Sequence, residues 1–161
     1  MRTINIFVMN NIECRQDIIY LIKHLSKLLQ IDFDERVSRI GLTGTQAGVL
    51  FYVNYKTNYE KEEVHQKDIE ENFKLAKSTV NGLVSRLLKT GHLIKKNKHR
   101  YAVLEISDSG IKAIETIKEG RNKTVDKLFN GYSEIEKNMT LERLGKLIDN
   151  LEGGKDDVAE D

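Results

Sequence analysis

Residues 65–106 hold the pattern that most constrains how this chain of 161 residues can fold. A short segment from His65 to Asn72 has helical spacing of its apolar residues. After only a few linking residues comes a longer helical pattern, Lys77 to Thr90, which Gly91 closes. A short helix, a tight link and a longer helix that ends at a glycine match the helix-turn-helix arrangement.

The stretch after Gly91 has the pattern of a β-hairpin. Leu93–Lys96 and Tyr101–Ile106 flank a tip at residues 97–99, where asparagine tolerates the positive φ of a tight turn. A hairpin directly after a helix-turn-helix is a winged helix, which we expect over about residues 43–107. The chain has no proline and its other apolar residues recur at helical spacing, so the predicted fold class is mainly α with a small β-hairpin wing.

Helical patterns also precede the hairpin and the helix-turn-helix. Apolar residues recur at helical spacing from about Ile12 to Leu29, and the segment continues irregularly to Gly41, a natural C-terminal glycine. The next helix begins at Thr43, where Gln46 three residues later can complete a capping box.

Two helices follow the hairpin. Ser107 caps the first, which is expected to run to Asn130. A capping box formed by Ser133 and Glu136 opens the second. The second helix carries a seam of leucine and isoleucine at 3-4-3 spacing, which is typical of coiled coils.

The terminal helices carry more apolar surface than one small core needs. A shared interface between two copies is therefore favoured over packing of these helices on each other within one chain. We expect one domain over residues 1–151, with dimerisation helices over about 11–40 and 108–151, followed by an acidic, disordered tail over 152–161. The dimer-interface candidates are Ile18, Leu21, Leu25, Leu141, Leu144, Ile148 and Leu151.

The charges of the chain are distributed unevenly. No aspartate or glutamate lies between Glu71 and Glu105, whereas eight lysines and arginines do. The rest of the chain holds 18 basic and 25 acidic residues, so the basic window produces a one-sided field that attracts polyanions. A merely solvated charged face is the alternative, and the pattern inside the window decides between the two.

The predicted helix at residues 77–90 has one apolar side and one polar side. The polar side offers hydroxyls, an amide and cations but no carboxylate, and such groups bind base edges and phosphates in a DNA major groove. Gly82 would let the backbone approach closely, whereas an ordinary surface helix usually includes acidic residues. The DNA-binding candidates here are Lys77, Ser78, Thr79, Asn81, Gly82, Ser85, Arg86 and Lys89.

The hairpin tip is the second cationic element. Beside the helix, it would reach the DNA backbone or the adjacent minor groove, where the negative potential suits arginine. An exposed turn that is basic without a function is the alternative. The DNA-binding candidates on the wing are Lys95, Lys96, Lys98, His99 and Arg100.

Along the segments described above runs an ordered series of short motifs: Leu42-Thr43-Gly44-Thr45-Gln46, Val49-Leu50, Gln66-Lys67-Asp68-Ile69, Ser78-Thr79-Val80, Leu83-Val84, Arg86-Leu87, Gly91, Ile94, Arg100, Ile106-Ser107 and Gly110. In their order and spacing these motifs resemble the MarR family of bacterial transcription regulators, over about residues 12–151. It implies a homodimer whose intertwined terminal helices present two winged helices to a palindromic operator. Lys98 departs from the family pattern, which usually has an aspartate that braces the wing, and Ala76 is a poor cap for the recognition helix.

The sequence thus predicts a sequence-specific regulator that binds double-stranded DNA as a homodimer, with repression of a pseudo-palindromic operator as the expected activity. The resemblance also implies release by a small-molecule effector. Tyr20, Phe51, Tyr52 and Tyr55 are candidates for lining its cleft, but they are equally typical of ordinary core. The alternatives are a winged helix that serves as a protein-interaction scaffold, and a redox regulator in which Cys14 senses peroxide.

Several function classes are disfavoured. The sequence contains no catalytic constellation, so we expect no enzyme activity, and its four scattered histidines offer no ligand spacing for a metal or other cofactor. No stretch approaches the ~20 apolar residues of a membrane span. A single cysteine and the lack of a secretory signal pattern favour the cytoplasm.

Overall fold

The computed structural model describes residues 17–98 and 101–153, and for Lys98 and Tyr101 it describes the backbone only. The candidates Cys14, His99 and Arg100 lie outside the described residues, as do residues 154–161 of the predicted acidic tail, whose first two residues, Glu152 and Gly153, instead belong to the last helix. The elements are α1 (Ile18–Arg39), α2 (Gly44–Asn54), a π-helical segment (Tyr55–Glu60), α3 (Gln66–Phe73), α4 (Lys77–Lys89), β1 (Leu93–Lys98), β2 (Tyr101–Ile106), α5 (Asp108–Leu128) and α6 (Glu134–Gly153).

The predicted fold class, mainly α with a β-hairpin, is confirmed. The chain divides into two compact units within α5, one ending at Arg121 and the other beginning at Asn122. The expectation of a single domain over residues 1–151 stays a prediction.

Helix α1 is more regular than its sequence suggests. Its predicted start at Ile12 lies outside the described residues. Within them, Asp17 has extended backbone angles and its side chain accepts hydrogen bonds from the amides of Ile19 and Tyr20, so α1 begins at Ile18. The helix runs unbroken to Arg39, and Gly41 follows with a φ of 74°.

The capping box at the start of α2 is confirmed. The Gln46 amide donates to Thr43 Oγ1 at 3.3 Å, and Gln46 Oε1 accepts from the Thr43 amide at 2.9 Å. The side chain of Gln46 is buried, and because the capping box gives it a fixed hydrogen-bond partner, its burial leaves no polar group unsatisfied.

Helix α2 passes directly into a π-helical segment. The α-helix ends at Asn54, and the polar stretch after it continues in the π form to Glu60. Lys56 Nζ lies 2.5 Å from a Glu60 oxygen and 2.9 Å from a Glu62 oxygen, and both carboxylates raise the pKa of this lysine. Lys61, in the left-handed conformation, ends the segment.

The core of the first unit lies where the helices of the winged helix and the hairpin meet. Leu104 on β2 donates its amide to the Val64 carbonyl at 2.8 Å, which ties the hairpin to the segment before α3. Arg36 on α1 donates to the carbonyl of Ile117 on α5 and also pairs with Asp32. The core residues are Val37, Leu42, Ala47, Val49, Leu50, Val53, Val64, Ile69, Val80, Val84, Leu87, Leu93, Leu104, Ala113, Ile114 and Ile117.

The second unit has a different character, because α6 buries no residue. Its predicted capping box is present: Glu136 Oε2 accepts from the Ser133 amide at 2.8 Å, and that bond lowers the pKa of the Glu136 carboxyl. The preceding helix, α5, ends at Leu128 rather than at the expected Asn130, and Gly131 has a φ of 85°.

The base of the wing depends on close backbone contacts. Ser107 Oγ donates to the Gly91 carbonyl and accepts from the Gly110 amide, and the Ser107 amide donates to the His92 carbonyl at 3.2 Å. A Cβ on Gly110 would collide with the His92 carbonyl oxygen, a backbone atom. The start of α5 can approach the α4–β1 turn because residue 110 has no side chain.

Substituting Gly110→Ala should lower the free energy of unfolding by about 3 kcal/mol, in the upper range of overpacking effects, because a backbone atom must move. Gly145→Ala is the matched control. Nothing lies within 4 Å of its Cβ, and alanine in the helix interior should stabilise by up to about 1 kcal/mol. Denaturant unfolding followed by circular dichroism measures both. Equal stability of the two variants would contradict the packing seen at Gly110.

Candidate nucleic-acid interface

Helix α4 divides its residues sharply between core and solvent. Val80, Val84 and Leu87 are fully buried, at 0% exposure. All eight residues predicted to bind DNA on this helix, Lys77, Ser78, Thr79, Asn81, Gly82, Ser85, Arg86 and Lys89, are exposed. We call this set the α4 outer face. Burial of the valines and leucine determines which way it points.

The α4 outer face is electrostatically uncompensated. Across the described part of the chain, none of its cations, Lys77, Arg86 and Lys89, forms an ion pair, and no acidic residue lies in the first turn of α4. Unpaired exposed cations keep their charge available to an external anion and attract it over about one Debye length.

The start of α4 lacks a side-chain cap, as the sequence predicted. Ala76 has extended backbone angles and no group that could accept from the first-turn amides, while its carbonyl accepts from the Val80 amide at 3.1 Å. Amides left free at a helix start, with the positive end of the helix dipole, favour nearby negative charge.

Gly82 lies near the middle of the α4 outer face. A Cβ built there meets nothing within 4 Å, so packing within the chain does not require glycine at this position. Glycine in a helix interior costs about 1 kcal/mol relative to alanine. The open space above its backbone can accept a close approach by another molecule.

The wing contributes fewer free cations than the sequence suggested. The antiparallel register pairs Leu93 with Ile106, and Lys96 forms an ion pair with Glu105 at 2.5 Å. Lys96 is therefore partly neutralised, which the sequence could not reveal because the pair depends on strand register. Lys95 is exposed and, among described residues, has no ion pair; for Lys98 only its place in β1 is described.

The wing and the first helix of the helix-turn-helix are joined through His65. Its ring Nδ1 donates to the Ala102 carbonyl on β2 at 3.0 Å, and its amide donates to Asp68 Oδ2 at 2.7 Å. His65 precedes α3 as its N-cap residue. A cavity of about 470 Å³ lies here, lined in part by His65, Lys67 and Lys95.

Three of the four effector-cleft candidates make separate aromatic contacts, and the fourth, Phe51, packs against the core. Tyr20 stacks on His24 with centroids 5.8 Å apart, and Tyr55 stacks on Tyr59 at 6.0 Å. Tyr52 meets Phe73 edge-on, and burial, followed by the charge of Asp68, raises the pKa of its phenol.

Of the three cavities whose lining is described, one is lined by Tyr52; Tyr20, Phe51 and Tyr55 line none of them. The effector cleft stays a prediction.

The dimer-interface candidates all lie exposed. On α1, Ile18 is 54% exposed and Leu21 and Leu25 are each 41% exposed. On α6, the exposed fractions run from 40% for Leu144 to 79% for Leu151, with Leu141 and Ile148 between. Large apolar side chains in this number on two helices are far more than scattered surface residues, and such patches mark interaction surfaces.

The sequence predicts neither a metal site nor a membrane span, and the described residues can be searched for both. Within residues 17–98 and 101–153, no three histidine, aspartate or glutamate side chains are grouped so that they could hold a metal ion. No described helix combines the length and apolar character that crossing a bilayer would require.

The chain matches no protein-family model and no curated protein sequence. It is similar in structure to MepR, a transcription regulator of the Staphylococcus aureus multidrug efflux pump MepA, with a TM-score of 0.74 and 20% identity over 84% of this chain and 98% of that chain. YusO from Bacillus subtilis gives a TM-score of 0.72 at 19% identity over 84% and 95% of the two chains.

The transcriptional regulator Tm0710 from Thermotoga maritima gives a TM-score of 0.63 at 23% identity, covering 83% of this chain and 93% of that one. A MepR–DNA complex gives 0.59 at 19% identity over 85% and 98% of the two chains. These neighbours are winged-helix regulators of the MarR family, and the chain has their fold, as its resemblance to that family implied.

Proposed function

We propose that this chain, which has the winged-helix fold of MarR-family transcription regulators, is itself a sequence-specific regulator that binds double-stranded DNA through α4. The observation that carries the proposal is the α4 outer face. Eight exposed residues offer hydroxyls, an amide and unpaired cations, while the buried side of the same helix fixes their direction.

The composition of the α4 outer face suits both kinds of DNA contact. Ser78, Ser85 and Lys89 recur at helical spacing along its centre, with Asn81 and Arg86 on its flanks. Asparagine pairs with adenine and arginine with guanine by two hydrogen bonds each, so the flanks can read bases. Lysine and hydroxyl groups bind phosphates and set register.

The solved neighbours support a nucleic-acid partner. MepR has been solved as a complex with DNA, and a mutant of MepR has been solved bound to an oligodeoxyribonucleotide. The carboxylate-free, cationic surface of α4 is the part of this chain whose chemistry suits such a partner.

We propose further that the functional species is a homodimer. The apolar residues exposed on α1 and α6 need a cover, and a second copy supplies an identical, self-complementary surface. Two recognition helices related by a two-fold axis match a pseudo-palindromic operator, whose occupation would repress transcription. A small effector would release DNA by favouring a dimer conformation whose helix spacing no longer fits the two half-sites.

Two alternatives make different predictions. A winged helix that serves as a protein scaffold would form dimers yet retain no duplex at low salt. A Cys14-based redox regulator would lose peroxide-induced release of DNA in the variant Cys14→Ser, whereas release that is unchanged in this variant would dismiss the redox function.

Arg86→Ala should weaken duplex binding about ten- to a hundredfold, because it removes an unpaired cation that can contact a base edge. Arg143→Ala on α6 is the control, since it removes the same exposed side chain elsewhere. Fluorescence anisotropy with a duplex selected from random sequence measures both. Equal loss in the two variants would mean that binding is only a response to net charge.

Gly82→Ala should weaken duplex binding while it stabilises the fold by up to about 1 kcal/mol, because the added methyl group fills the space above the backbone. Asn150→Ala, at an exposed position of α6, is the control, which should also favour its helix and leave binding unchanged. Thermal unfolding and anisotropy on the same samples separate the two effects. Full affinity in Gly82→Ala would exclude a close approach of DNA to this part of α4.

Leu144→Glu should convert the dimer to a monomer, because a carboxylate cannot be buried in an apolar interface without a partner. Lys146→Glu on the same helix introduces the same residue at an exposed position and is the control. Sedimentation velocity gives the two masses. If the Leu144→Glu protein still sediments as a dimer, α6 does not belong to the dimer interface.

A further inference from the structure

Two lysines hold a backbone conformation that lysine rarely adopts. Among the described residues other than glycine, Lys61 and Lys74 alone have positive φ angles, 60° and 51°. Both end a helical segment in the left-handed conformation, where glycine is the usual residue because a Cβ is strained there. A lysine in such a position calls for a reason that lies in its side chain.

The surroundings of Lys61 supply that reason within the chain. Lys61 lines a cavity of about 330 Å³ together with the carboxylates Glu62, Glu63 and Glu105. The positive charge of Lys61 thus lies beside carboxylates, of which Glu62 and Glu105 also pair with Lys56 and Lys96, so acidic groups of the chain itself partly offset it.

The surroundings of Lys74 supply no such reason within the chain. Its charge is the first in the carboxylate-free window that runs to Glu105. The nearby Glu71 pairs with Lys67 at 3.4 Å, and no ion pair of Lys74 is found among the described residues, although its side chain is exposed. The anion that would make use of this cation therefore lies outside the chain.

The backbone holds Lys74 firmly in place. Phe73 before it meets Tyr52 edge-on, and Leu75 after it packs against the core. The amides of Lys74 and Leu75 both donate to the Glu70 carbonyl, the latter at 3.1 Å. With both neighbours turned inward, residue 74 projects from the turn between α3 and α4, next to the start of the α4 outer face.

We propose that Lys74 binds a phosphate of the DNA backbone and thereby sets the position of α4 along the duplex. This inference rests on the proposed function and adds a contact that the sequence pattern of α4 does not include. Because a fixed turn holds the side chain's origin, less conformational freedom is lost when the contact forms. A phosphate contact carries no base preference, so its effect should be the same on every sequence.

The test compares Lys74→Gly with Lys61→Gly. Both changes remove one positive charge and relieve the same backbone conformation, so both proteins should melt at or above the wild-type temperature. Anisotropy titrations use a mixed-sequence 30-base-pair duplex at salt concentrations from 50 to 200 mM, which needs no knowledge of an operator.

Lys74→Gly should bind more weakly than the wild type. Its salt slope, d log K/d log[salt], which is negative, should become less steep by about 0.9 for each lysine contact that is lost. The ratio of wild-type affinity to Lys74→Gly affinity should therefore fall about 3.5-fold per contact as the salt concentration rises from 50 to 200 mM. Lys74→Arg should restore binding, and Lys61→Gly should match the wild type.

The outcomes separate the two proposals. Wild-type protein that fails to bind duplex even at 50 mM salt would overturn the proposed function. Wild-type protein that binds, with Lys74→Gly equal to it in affinity and salt slope, would overturn only the role of Lys74. An equal loss in Lys74→Gly and Lys61→Gly would also overturn that role, because it would reduce the effect to net charge.

Discussion

Burial of one side of α4 is the constraint on which the rest of the structure depends. Val80, Val84 and Leu87 are each fully withdrawn from water, and burying each such side chain stabilises a fold by about 1.5–3 kcal/mol. Rotating α4 to hide its cations would expose all three. The orientation of the α4 outer face is thus set by the core and needs no partner to fix it.

The same core also places the wing. Leu93 and Leu104 belong to it, and the contacts of Ser107 and Gly110 with the turn after α4 hold the base of the hairpin. His65 adds a link between α3 and β2. The winged helix therefore presents α4, Lys74 and Lys95 from one framework, which is how a rigid scaffold can position side chains for recognition.

Much of the fold could be predicted because its signals are local. The capping boxes at Thr43 and Ser133 and the stop at Gly91 depend on residues a few positions apart, and α4's two faces follow from helical periodicity alone. The π-helical segment could not be predicted, because it has no apolar period and is held by Lys56 between two glutamates.

The candidate site could likewise be predicted in part from the sequence. Exposure of all eight α4 candidates follows from periodicity. The Lys96–Glu105 pair depends on strand register, and the strained backbone of Lys74 depends on how Phe73 and Leu75 pack, so neither is visible in composition or spacing. Interactions that join distant segments, or that depend on backbone angles, require the folded structure.

The central claim is tested most directly by NMR. The backbone amide chemical shifts of the isotope-labelled protein are followed while a DNA duplex is added in low-salt buffer. We expect the largest changes in amide shift at the exposed residues Ser78, Asn81, Ser85 and Lys89. The amide shift of the buried Val84 should change only as far as the changes at its neighbours cause it to. Shifts confined to α1 and α6, or no shifts at all, would contradict a function based on the outward side of α4.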